Sequence, residues 1–286
     1  MDVLMLAKAP VLKALRPGLD REGLAALASE LPFPIPDEVA TLYSWHDGTR
    51  TYPGVPELFP GAWFLSLAAV GASYQQQSAA AREAAVDTDL TPEQLYDPRW
   101  LPLFVREHGM RVFVTGGADN DGEIWYVSRE DPIEREREYR DLTDMIKSIA
   151  ACYEDGTYLV DQSIQQVIED RGASAARRRK GDPAPAFSRR LVADLASDDW
   201  KLQSTALRTL KRYLYPEAAP GLVTLAQTGG AEVRSYSIAL LGDLGMEEFR
   251  PAIINSLDDE DEGVRLAAEW SVSYLDTLAR LKREPA

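Results

Sequence analysis

Cysteine and histidine are nearly absent from this 286-residue chain: one cysteine, Cys152, and two histidines, His46 and His108. A single cysteine excludes an internal disulfide framework and fits a reducing cytoplasm. So small a set also excludes the usual Cys/His zinc site. Long apolar runs are missing as well. No uninterrupted stretch reaches the ~18 residues of a membrane span. The N-terminus begins Met1-Asp2 and sets Lys8 and Lys13 among its apolar residues, which makes a poor signal peptide.

Positive charge is short. Lys and Arg number 31 against 46 Asp and Glu, a net charge of −15. Residues 1–165 carry −13 and residues 191–286 carry −6, whereas 171–190 carry +6. An acidic body repels nucleic acid and attracts a basic protein, although solubility alone also accounts for such a charge.

What the chain does have is a repeat of 31 residues near its C-terminus. Leu202, Val233 and Val264 stand in register, as do Ala206, Ser237 and Ala268, then Leu210, Leu241 and Val272, then Tyr213, Leu244 and Leu275. Spacings of four, eight and eleven lie on one helix face. Pro220 and Pro251 share the period, and proline opens a helix at its first turn without losing a donor. Leu222 and Ile253 follow them. Each unit is expected to be a helix pair, and such pairs must stack to bury their apolar faces.

Residues 1–165 read as mixed α and β. Asp20 caps an expected helix reaching Leu31. Pro36, with Asp37 and Glu38, opens another that carries Val39, Leu42 and Tyr43 inward and ends near Gly48. Trp63-Phe64-Leu65 reads as a strand, and Ser66 caps a long alanine-rich helix. Trp100 to Phe104 is apolar. Arg111–Thr115 and Glu123–Val127 form an expected hairpin. Asp141 to Tyr153 reads as a helix and Ser163 to Asp170 as another. Residues 171–190 are rich in arginine, alanine and proline, lack an apolar period, and read as a basic flexible linker. The expected domains are therefore 1–170, the linker 171–190 and the repeats 191–286.

Few residue constellations in the chain could carry chemistry. His46 follows Trp45 at a helix end and reads as a capping or packing residue. His108, in Arg106-Glu107-His108-Gly109, reads as solvated. Cys152 sits in an apolar helix pattern, as a buried structural thiol does. Asp119-Asn120-Asp121-Gly122-Glu123 lacks carboxylates at the first and last positions of a calcium loop, so a turn is the better reading. Gly116-Gly117 lacks the Lys-Ser/Thr of a phosphate loop. Arg177-Arg178-Arg179-Lys180 reads as solvated linker. No catalytic residue, metal ligand or cofactor is expected. Asp258, Asp259, Glu260, Asp261 and Glu262 form a run longer than a helix cap needs. They are candidates for docking a partner, alongside the reading of a solvated loop.

An ordered string of landmarks carries a resemblance. It runs Leu31-Pro32, Pro36-Asp37-Glu38, Leu42-Tyr43-Ser44-Trp45-His46-Asp47-Gly48, Leu58-Phe59-Pro60 and Trp63-Phe64-Leu65-Ser66-Leu67. Trp100-Leu101-Pro102-Leu103-Phe104, Leu142 to Met145, Tyr153, Gly156 and Tyr158 complete it. Over about residues 25–160 the chain resembles the SUKH superfamily, the Smi/Knr-type domain. Where that family more often has Asn before the glycine, this chain has Asp47. The C-terminal part resembles HEAT repeats. The resemblance implies an α+β domain with a central sheet flanked by helices, followed by an α-helical HEAT-like repeat domain. It further implies a non-enzymatic immunity protein that binds a bacterial polymorphic toxin; with the single cysteine and the net charge, the expectation is a cytoplasmic protein that docks on a basic toxin domain. A regulatory scaffold unrelated to toxins, or an accessory to an enzyme, stands as the alternative.

Overall fold

Asp20, Ser66 and Asp141 each end a loop and start a helix, and the fold of the first half hangs on them. The computed structural model describes residues 4–5, 7–28, 31, 33–49, 56–106, 109–114, 122–128, 135–178 and 185–283. Contacts divide the chain into two units, Met1–Val167 and Ile168–Ala286.

In the first unit, β1 (Leu15–Pro17) precedes α1 (Arg21–Ala28). The Asp20 carboxylate accepts the Gly23 N–H at 2.8 Å at the α1 start. Helix α2 spans Asp37–Trp45, with Asp37 and Glu38 in the first turn. It stops at Trp45, three residues before the glycine expected to end it. His46–Thr49 instead become β2, paired antiparallel with β1. Then come β3 (Trp63–Phe64) and α3 (Leu67–Ala84), whose N-cap Ser66 accepts from Ala69 N at 3.2 Å. A short helix, α4 (Pro92–Leu95), opens with a capping box between Thr91 and Gln94.

The main sheet is an antiparallel meander. It runs from β3 through β4 (Trp100–Arg106), β5 (Gly109–Val114) and β6 (Ile124–Ser128) to β7 (Arg135–Tyr139). The expected hairpin is present, with Val112 opposite Trp125 and Phe113 opposite Ile124. Alternation sorts the side chains onto two faces. Leu101, Phe113 and Ile124 join one buried cluster with Tyr43, Met145 and Ile149. Val112, Val114 and Val127 join another with Tyr74, Tyr96 and Trp100. The charged sequence of β7 gave no strand signal. It lies at the sheet edge, where charged side chains discourage pairing with another chain.

Helix α5 (Leu142–Glu154) is capped by Asp141, which accepts from Asp144 N at 2.6 Å. After it come β8 (Tyr158–Asp161) and β9 (Gln166–Glu169), an antiparallel pair. The helix expected over 163–170 is therefore a strand. The reason is turn chemistry: the Asp161 carboxylate accepts from the Ser163 N–H at 2.9 Å and its hydroxyl at 2.6 Å. Gln165 then takes φ +56°, and the chain turns back.

In the second unit, α6 (Arg171–Arg178) begins inside the stretch expected to be a flexible linker. Asp170 caps it through Ala173 N at 3.0 Å, and its other carboxylate oxygen meets Lys282 Nζ at 2.6 Å. Ala175 is fully buried in the repeat core. Arg171 pairs with Asp243, and its guanidinium lies 5.1 Å from the Tyr274 ring centroid. Residues 171–178 thus form a helix within the second unit, where Arg171 and Ala175 among others find partners. Composition carried no sign of those partners. Residues 179–184 lie outside the described residues.

Next are α7 (Pro185–Leu195), α8 (Trp200–Tyr213), α9 (Ala219–Thr228), α10 (Ala231–Asp243), α11 (Arg250–Asn255) and α12 (Glu262–Arg283). Helices α8, α10 and α12 start at 200, 231 and 262, and α9 and α11 at 219 and 250, so the period of the sequence is the period of the structure. Ala206, Ser237 and Ala268 are buried in register, as are Leu210 with Leu241 and Leu222 with Ile253. Leu202 departs from the pattern and is 43 % exposed, one turn into α8.

Candidate functional site

The side chains of His46 and Asp47 are committed to the fold. His46 Nδ1 lies 2.6 Å from the Arg16 carbonyl oxygen, across the β1–β2 pair. Buried Asp47 accepts the Leu67 N–H at 2.8 Å and faces Arg16 Nη2 at 3.1 Å. Gly48 has φ +69°, and a Cβ there would lie 2.4 Å from the Leu65 carbonyl carbon. Only glycine fits that approach. Thus Asp47 and Gly48 fasten α2 to the start of α3.

Helices α2 and α5 frame a cleft of about 540 Å³. Leu42 and Trp45 come from α2, Leu142, Ile146, Ile149 and Tyr153 from α5, with Leu4 and Leu58 at its margins. Glu38 and Lys147 line it with Thr41 and Thr143. Thr143 Oγ1 donates to Glu38 Oε1 at 2.9 Å, which ties the two helices together. The Tyr153 hydroxyl donates to the Leu58 carbonyl at 2.8 Å, and Tyr43 donates to Leu65 O at 3.0 Å. Burial pushes both phenols well above the ordinary tyrosine range, so each is a protonated pin. The cleft can take an apolar side chain of a partner. Cys152, on α5 itself, is buried. Among the described residues, no group of three or more His, Cys, Asp or Glu is placed to hold a metal ion.

In the second unit the acidic run has two kinds of member. Arg234 grips Asp259 with two hydrogen bonds, Nε to Oδ2 at 3.0 Å and Nη2 to Oδ1 at 2.7 Å. The guanidinium, helped by the Asp261 N–H, holds the Asp259 carboxyl below the usual carboxylate range. Asp261 accepts the Val264 N–H at 3.1 Å and so caps α12. Arg265 donates to the backbone carbonyls of Asp259 and Glu260 at 2.7 and 2.9 Å. Asp258, Glu260 and Glu262 point outward and are exposed. Two of the five carboxylates are therefore structural, and three are presented to solvent. His108, Gly116, Gly117 and Asp119 to Asp121 lie outside the described residues.

Residues 18–148 match the SMI1 / KNR4 family (SUKH-1). Residues 188–273 match HEAT repeats. No curated protein matches the chain. The SUKH-1 match begins just after β1 and ends within α5, so it takes in Asp47 and most of the cleft. The HEAT match covers the acidic run. Both likenesses read from the landmarks and from the period are present, in the order expected. Among the described residues, no helix is long and apolar enough to cross a membrane.

The α2–α5 cleft was not foreseen. Its residues appeared in the sequence as separate apolar positions of two helices about a hundred residues apart. Ile146 read as one more apolar position of its helix, and only the structure shows it 37 % exposed at the cleft.

Proposed function

We propose that this protein is a non-enzymatic binding protein of the immunity type, which neutralises a basic toxin domain by covering it. The observation that carries the reading is the SUKH-1 match over residues 18–148, joined to HEAT repeats over 188–273. Both are protein-binding architectures. The net charge of −15 supports a basic partner, since complementary charge speeds encounter and disfavours nucleic acid. A single buried thiol suits action in the cytoplasm. Three polar groups beside the cleft are committed to the fold: Asp47 fastens helices, and Tyr43 and Tyr153 are protonated and hydrogen-bonded.

The test uses a toxin domain encoded beside this gene. Co-expression should protect cells from it, and the purified proteins should associate. Raising salt should slow association more than it speeds dissociation, because screening removes steering before it removes buried contacts. A neighbouring domain that stays toxic and unbound sinks the immunity reading and favours a scaffold unrelated to toxins.

A further inference from the structure

Helix α10 shows which face of a repeat receives the next helix. Ser235 Oγ donates to Gly263 O of α12 at 3.2 Å, and Ser271 Oγ of α12 donates to Ile238 O at 3.3 Å. A Cβ on Gly242 would lie 2.4 Å from Ser271 Oγ. The α10 face of Ser235, Ile238, Ala239 and Gly242 is thus covered by α12 at close approach. Small side chains permit that approach.

One period of 31 residues carries that face to Leu266, Glu269, Trp270 and Ser273 on α12. Here it is uncovered. Ile238 is fully buried, whereas Trp270 is 77 % and Leu266 47 % exposed, and Glu269 and Ser273 are exposed too. The open face of a solenoid is ordinarily made polar to keep it soluble. This one carries a tryptophan and a leucine one turn apart. They are too large for the close stacking that Ser235, Ala239 and Gly242 allow.

Charge identifies the occupant. Glu262 lies one turn before Leu266, and Glu269 adjoins Trp270. Asp258 and Glu260 lie just ahead of the helix. The nearby cation Arg234 is held by Asp259 and, at 3.6 Å, by Glu260, and Arg265 by backbone carbonyls. Among the described residues, Glu262 and Glu269 form no ion pair. An exposed tryptophan and leucine flanked along the helix by the carboxylates of Glu262 and Glu269 suit an apolar surface bearing lysine and arginine. A second copy of a chain with net charge −15 is repelled.

We propose that the Leu266–Trp270 face of α12 docks a basic amphipathic protein surface, with Trp270 as the anchor. This rests on the reading of a basic protein partner, and not on that partner being a toxin. The test titrates the full chain with a labelled synthetic helix of leucines on one face and lysines on the other. A helix with glutamates in place of the lysines is the control. The lysine helix should bind and the glutamate helix should not. Trp270→Ala should weaken binding about tenfold or more, as loss of an interface anchor does, while Trp200→Ala, on α8, should leave it unchanged. Equal affinity for wild type and Trp270→Ala, or for both helices, overturns the proposal. So does a dimer of the free protein that Trp270→Ala abolishes, which would assign the face to a second copy. If the neighbouring toxin domain fails to bind while the lysine helix still needs Trp270, the immunity reading falls and this one stands.

Discussion

Asp47 and Leu67 are joined by a hydrogen bond of 2.8 Å from the Leu67 N–H to the buried Asp47 carboxylate. That N–H is one of the donors a helix start leaves without an intrahelical partner, and Ser66 satisfies the next but one. A side chain from β2 therefore caps α3 from a distance of 20 residues. The expected outcome of Asp47→Ala is a loss of about 1–3 kcal/mol, the usual penalty for leaving a buried donor unpaired. Asp47→Asn should cost less, because an amide oxygen can still accept from Leu67. Denaturant unfolding followed by a probe in the first unit measures both. Equal loss in the two variants would show that the Arg16 charge, and not the cap, is what matters.

Gly242 sets the distance between α10 and α12. Gly242→Leu should force the two helices apart and cost well over the ~1–3 kcal/mol typical of overpacking, since its Cβ alone would lie 2.4 Å from Ser271 Oγ. Loss of helical signal on heating is the readout. A melting temperature unchanged from wild type would mean that α12 does not pack where the structure puts it.

Ser237 and Leu241 occupy adjacent turns of one buried face and should respond in opposite ways. Leu241→Ala removes a fully buried leucine and should cost roughly 2–4 kcal/mol. The Ser237 hydroxyl is buried and has no hydrogen-bond partner among the described residues, and its register mates Ala206 and Ala268 are alanine. Ser237→Ala should therefore be neutral or stabilising by up to about 1 kcal/mol. Clear destabilisation by Ser237→Ala would reveal a partner for that hydroxyl.

The Arg234–Asp259 pair gives the second unit a pH dependence. The folded pKa of Asp259 lies below the ordinary 3.8, because Arg234 and the Asp261 N–H hydrogen-bond to its charged form. A depressed carboxylate contributes stability above its unfolded pKa and loses it as pH falls through the folded value. The gap in melting temperature between wild type and Asp259→Asn should be constant near neutrality and shrink below pH 3.8. A gap that persists into strong acid would assign the effect to the amide substitution itself.

The sequence alone determined what recurs locally. The 31-residue period, the capping residues Asp20, Ser66 and Asp141, and the β-branched hairpin of residues 111–127 are written in spacing and side-chain type. Helix and turn chemistry acts over a few residues, so it can be read there. Tertiary structure decided the rest. Charged β7 became an edge strand because β6 offered it a ladder. Residues 171–178 left the linker because Asp243, Tyr274 and the repeat core held Arg171 and Ala175. Asp47 proved to be a cap for a helix 20 residues away, and the α2–α5 cleft joined residues about a hundred apart. The exposure of Trp270 depended on which face of α10 the next helix covers. In each case the energy comes from a partner distant in sequence, and no local pattern records which partner the fold will bring.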